Sequence, residues 1–157
     1  MNDSHSAVIK DAILQLNEEL AELRKFVALL MSEQQSLLSN DTDSLLTLSE
    51  AKTQAAGQLM EMGNSRRKSL LTNSTDSMEA WISKHAPNSQ AVWSEIQKLA
   101  AQAQHLNSTN GELINARMRH NQQALSALQN ASQSAAALYG PDGQANISST
   151  GRHLGSG

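Results

Sequence analysis

Five histidines are the first residues to test for chemistry. His5, His85, His105, His120 and His153 are scattered over separate segments, and only His105 and His120 share an expected helix. Those two are about four turns apart, too far for one ion to bind both. No His-x-x-x-His or Glu-x-x-His pair, which would set two ligands on one helix face, occurs anywhere. The histidines therefore read as solvated surface residues, and no metal is expected. The chain has no cysteine, which removes thiolate ligands, disulfides and a thiol nucleophile together. Glu18, Glu19 and Glu22 are close in sequence but lie off the leucine seam around them, so they read as a charged solvated face rather than an acid–base pair. No serine has a positioned histidine and aspartate, and no glycine loop could cradle a phosphate. The sequence reads as a non-enzyme without a cofactor, whose business is binding a partner.

The formal charge of −3 mixes both signs, and the densest basic run is Arg66-Arg67-Lys68. Three residues on one helix read as a solvated face, not a nucleic-acid stripe. The N-terminus, MNDSHSAVIKDAILQLNEEL, has acidic residues inside its apolar pattern and no continuous apolar core. It reads as neither a secretory signal nor a membrane span, so a cytoplasmic protein without direct membrane insertion is expected. The sequons at Asn73, Asn107 and Asn146 are then chance matches.

Elements able to position a binding surface follow from composition and period. Leu, Ala, Gln, Ser and Glu dominate, and aromatic residues are 3% of a 157-residue chain. That mixture favours helix and disfavours strand, so the expected class is all-α, a long antiparallel helical hairpin or coiled-coil bundle with a thin core. Ile9, Ile13, Leu16, Leu20, Leu23, Val27, Leu30, Gln34 and Leu37 alternate steps of four and three, a heptad seam predicting a helix over about 5–39. Such a helix needs a partner of similar length. After the turn formers Ser39-Asn40-Asp41-Thr42, a second helix is expected at about 43–72, with Leu45, Leu48, Lys52, Ala55, Leu59, Met62 and Arg66 on its seam. A short loop makes the two antiparallel neighbours. A short connecting helix is expected at 76–85, capped by Thr75 or Asp76. A last helix follows Pro87 at 89–138, and a flexible tail occupies 140–157. The expectation is one elongated helical domain over 1–139.

The last helix carries the most informative positions. Val92, Trp93, Ile96, Leu99, Ala103 and Leu106 begin its apolar stripe, and Asn110, Leu113 or Ile114, Met118, Leu125, Leu128, Ala135 and Leu138 continue it. Two successive steps of four at Asn110, Ile114 and Met118 depart from strict heptads. Asn110-Gly111 is also a hairpin dipeptide, but its flanks are helical in period, so the helix is kept at a glycine cost of about 1 kcal/mol. Trp81 and Trp93 read as packing at one end of the bundle, tying the short helix to the long one. Asn107 and Asn110 read as setting register, or as marking where the buried core stops. The stretch QQALSALQNASQSAAAL, Gln122 to Leu138, has no charge, which suits close approach by another helix.

Four features then combine: Trp93; Leu106-Asn107 with Asn110-Gly111; Asn121-Gln122-Gln123-Ala124-Leu125; and the closing Leu138-Tyr139-Gly140-Pro141-Asp142-Gly143-Gln144. In this order the chain resembles the FlgN family of flagellar export chaperones over nearly its whole length. The resemblance implies a cytoplasmic, non-catalytic chaperone of flagellar type III secretion. Its clients would be the hook–filament junction proteins FlgK and FlgL, held by their C-terminal helical region until export. It implies that the client surface falls on the helix carrying Ile114, Met118, Leu125, Leu128 and Leu138. It implies further that Tyr139 docks the cytoplasmic domain of the export gate, and that the export ATPase complex is a partner. Without the resemblance, a structural or signalling coiled-coil adaptor is the competing reading.

Overall fold

The computed structural model describes residues 2–71 and 76–138, without the side chains of Leu71 and Leu138. Among these residues all regular structure is helical: α1 Asn2–Leu38, α2 Thr42–Leu71, α3 Met78–His85, a 3-10 turn Pro87–Ser89, and α4 Gln90–Leu138. The class is all-α and built on a long helical hairpin. The stretch after Gly140 lies outside the described residues. Backbone contacts divide the chain into two units, Met1–Ile114 and Asn115–Gly157, with the division falling inside α4.

The hairpin turn is closed by its own residues. Asn40 takes the left-handed conformation at φ 58°, which asparagine tolerates better than most residues. The Asp41 N–H then donates to the Ser36 carbonyl at 3.0 Å, closing the end of α1 in a Schellman motif. Asp41 in turn caps α2: its carboxylate accepts from the Ser44 backbone N–H at 3.2 Å and from the Ser44 hydroxyl. These bonds hold the Asp41 carboxyl below its ordinary value, the hydroxyl contributing most. At α3 the cap is Ser77, whose side chain accepts from Ala80 N–H at 3.3 Å. Of the expected caps, Thr75 lies outside the described residues, and Ser77 takes the place of Asp76.

Within the first unit, α1 is the central helix. Leu16, Leu20, Leu23, Val27, Leu30 and Leu37 are buried along its expected seam. A second row spaced by seven (Ala12, Glu19, Phe26 and Glu33) is buried or half-buried beside it, because α1 must face both α2 and α4. Two ion pairs fix the hairpin register. Lys52 Nζ lies 3.1 Å from Glu33, and Arg66 Nε 2.9 Å from Glu19. The carboxylates are fourteen residues apart on α1 and the cations fourteen apart on α2, running in opposite order, so the helices are antiparallel. Helix α4 runs parallel to α1: Ile96 joins the cluster of Leu20 and Leu23, and Ala103 that of Val27 and Leu30. Asn110 reaches Leu30 and Glu33. Trp81 and Ile82 of α3 are buried against Leu16 and Ala12, closing one end of the core. Deleting the side chain of Leu16 or Leu30, both fully buried, costs about 2–5 kcal/mol.

Candidate functional site

Two places in the chain concentrate polar or apolar groups that the helices alone do not explain. One is the polar triad inside the first unit. Asn110 is fully buried, and its amide donates to the Leu30 carbonyl and to Glu33 Oε1, both at 2.9 Å. Glu33 also accepts from Lys52 at 3.1 and 3.3 Å, so one carboxylate joins α1, α2 and α4. The Asn110 carbonyl oxygen has no hydrogen-bond partner. A buried asparagine of this kind fixes which residues may face each other, at some cost in stability. Asn107 is exposed, so only the second of the two asparagines does this.

The same geometry corrects two readings of the sequence. Glu19 was expected on a solvated face with Glu18 and Glu22, yet it is 7% exposed and accepts two bonds from Arg66, at 2.9 and 3.0 Å. Arg66 correspondingly leaves its solvated basic face, and its guanidinium carbon stands 4.8 Å from the centre of the Trp93 ring. Lys52 and Arg66, expected on the α2 seam, are the partners of the two carboxylates of the α1 row spaced by seven. The available signal was the matched spacing, two acids and two bases each fourteen residues apart on neighbouring helices. Trp93 Nε1 donates to Glu79 at 3.1 Å, and Trp81 is 7% exposed, so both tryptophans tie α3 to the first half of α4.

Among the described residues no three His, Asp or Glu side chains stand close enough to hold a metal ion. The groove bordered by Leu23, Phe26, Leu59 and Ala103 has Lys52 and Asn107 among its polar lining, and no carboxylate–histidine pair. No helix among the described residues is long and apolar enough to cross a membrane.

The second place is α4 beyond the triad. Helix α1 ends at Leu38, five residues past Glu33, so the parallel register set at Asn110 runs out within about two turns. Ile114, the last residue of the first unit, is 37% exposed. In the second unit Met118, Leu125 and Leu128 are 55%, 58% and 68% exposed, and every residue from Met118 to Ala137 is exposed. Four of the sequence-expected client residues thus share one helix and one stripe, with Asn121 filling the step between Met118 and Leu125. Leu138 is the last residue of α4; ten residues past Leu128, the helical period sets it about 80° around the axis from that stripe. Tyr139 lies outside the described residues.

A family model described as FlgN protein matches residues 1–147 of the chain. The chain belongs to the FlgN family. FlgN proteins are broadly flagellar export chaperones, a family of chaperones rather than of enzymes, and their partners belong to flagellar export. Comparison with curated proteins and comparison with solved structures each returned no match. In this FlgN chain, then, the polar triad belongs to the first unit and the exposed residues Met118, Leu125 and Leu128 to the second.

Proposed function

We propose that the chain is a cytoplasmic chaperone that binds the C-terminal helical region of FlgK and FlgL, prevents their premature assembly and delivers them to the flagellar type III export gate. The client-binding face is the stripe of Ile114, Met118, Leu125 and Leu128, with Leu138 as a further contact at the end of the helix, off the line of the stripe. Tyr139 is the docking residue for the cytoplasmic domain of the gate, and the export ATPase complex is the second partner at that stage.

One observation carries this reading: a member of the FlgN family holds large apolar side chains in water along a helix that has no charge from Asn121 to Leu138. Exposed leucines at helical spacing mark a face that another amphipathic helix can cover. A client whose own terminal helix keeps an apolar face until it polymerises is such a helix. Met118 adds a side chain that reshapes easily, which suits one surface serving two clients.

Deleting residues from Gln122 onward leaves the Met1–Ile114 unit intact and should abolish FlgK and FlgL binding in titration calorimetry. Unchanged affinity would remove the stripe from the client site. Tyr139→Ala should keep client affinity and weaken pull-down of the gate domain; equal pull-down by both proteins overturns the docking role.

A further inference from the structure

The stripe of the second unit has an internal symmetry that client binding does not require. From Met118 its steps alternate three and four through Asn121, Leu125, Leu128, Ser132 and Ala135, all exposed on the described part of α4. In heptad terms Met118, Leu125 and Ser132 take the a positions, while Asn121, Leu128 and Ala135 take the d positions. We propose that this segment pairs antiparallel with the same segment of a second copy of the chain, across a two-fold axis passing midway between Leu125 and Leu128.

Turning the segment end for end about that midpoint sets every a position against a d position of the other copy, the layering of an antiparallel coiled coil. Leu125 faces Leu128 in the two central layers. Asn121 faces Ser132, a polar residue against a polar one. Met118 faces Ala135, a large side chain against a small one. The parallel alternative sets Ala135 against Ala135 and Met118 against Met118, which leaves a gap in one layer and crowding in another. An isologous contact needs a surface complementary to itself, and this one is so only in the antiparallel sense.

Charge points to the same occupant. In this antiparallel pairing Gln122 faces Gln129 of the other copy and Ala124 faces Ala131, so like charges at either pair of positions would repel. Arg117 flanks only the terminal Met118 layer; across the four inner layers the flanking positions are Gln122 and Gln129 on one side and Ala124 and Ala131 on the other. None is charged, and the alanines let the backbones approach closely. The described seam is only about 26 Å long, so the pair is weak and concentration-dependent. It occupies the stripe proposed above for the client, and the two occupants exclude each other.

The chain has no cysteine, so introduced thiols are the sole sites for a thiol cross-linker. Asn121→Cys and Ser132→Cys chains, one of them tagged, are treated with a short bis-maleimide separately and mixed. The expected result is a cross-linked dimer in the mixture, little in either protein alone, and its loss when Leu125→Asp is added to both. A dimer from Asn121→Cys alone would mean parallel pairing and overturn the proposal. No cross-linked dimer under any condition as concentration is raised would overturn it too. Both substitutions lie outside the first unit, so folding of the bundle is not at stake, and no client is present, so a negative result leaves the client reading standing.

Discussion

Between Gln90 and Ile114, α4 carries its apolar residues into a core; between Asn115 and Leu138 the same spacing leaves them in water. In the first stretch Ile96, Ala103 and Asn110 are buried. Position 110 is polar because a carboxylate on α1 faces it. In the second, Leu125 and Leu128 are more than half exposed, yet no charged residue lies among them to keep other apolar faces away. A solvated helix ordinarily sets charges opposite its apolar residues. The first stretch is shaped by α1 and its polar triad, and the second has no such neighbour among the described residues. Polar residues mark the difference: the bundle fixes a few in pairs across helices, whereas from Asn121 to Leu138 the many polar residues are all uncharged.

Arg66→Ala should break this comparison most strongly from the bundle's side. It leaves Glu19 buried without its cation and removes the guanidinium from the Trp93 ring. Breaking a buried ion pair by removing one partner costs about 3–5 kcal/mol. Urea denaturation followed by tryptophan fluorescence should show the midpoint fall steeply; a loss under 1 kcal/mol would mean the pair is held no more tightly than a surface one.

The junction offers a change of opposite sign. Gly111 is helical, and a Cβ built there meets nothing within 4 Å. Gly111→Ala should therefore stabilise α4 by about 0.5–1 kcal/mol, through helix propensity and a less free unfolded chain. The same denaturation experiment checks it, and a destabilised variant would show that this helical turn needs the space the glycine leaves. Leu128→Ala, about two and a half heptads beyond, should change stability by less than about 0.5 kcal/mol because the side chain is 68% exposed. Its client affinity should nevertheless drop measurably in calorimetry. An equal loss of stability and affinity would place Leu128 in a core.

How far the sequence foretold these features depends on whether a feature repeats. Helix type and the α1 seam follow from apolar period, since leucines at steps of three and four can be read without a partner. The loop at Asn40-Asp41 was legible for the same local reason. Glu19, Glu33, Lys52 and Arg66 were not, because a charge on a seam looks like an error until the opposing helix and its register are known. Asn110 was legible as a position and not as a contact; its partners are about eighty residues away in the chain. Met118, Leu125 and Leu128 could be set on one helix from their period, but exposure cannot be read from spacing. What decides it is that α1 ends at Leu38, a fact about another segment.

The smallest expected effect concerns pH at the closed end of the bundle. The Trp93 indole N–H holds the Glu79 carboxyl below its ordinary 4.5, with lesser help from its own backbone and from Gln97, against a small opposing effect of burial. A carboxyl whose folded value is depressed stabilises the protein above its unfolded value and loses that contribution as pH falls through the folded one. Glu79→Gln keeps the shape and abolishes the titration. Its deficit relative to the parent chain should be constant from neutral pH to about 5, then shrink as pH falls below about 4.5. The Asp41 cap, whose carboxyl is also lowered, acts in both proteins and cancels in the difference. Urea midpoints of the two proteins, measured side by side from pH 7 to 3, should converge at the acid end. Parallel curves would mean that Trp93 does not hold the Glu79 carboxylate, and that α3 is tied to α4 by the Gln90–Ser83 hydrogen bond and the apolar contacts of Trp81 and Ile82 instead.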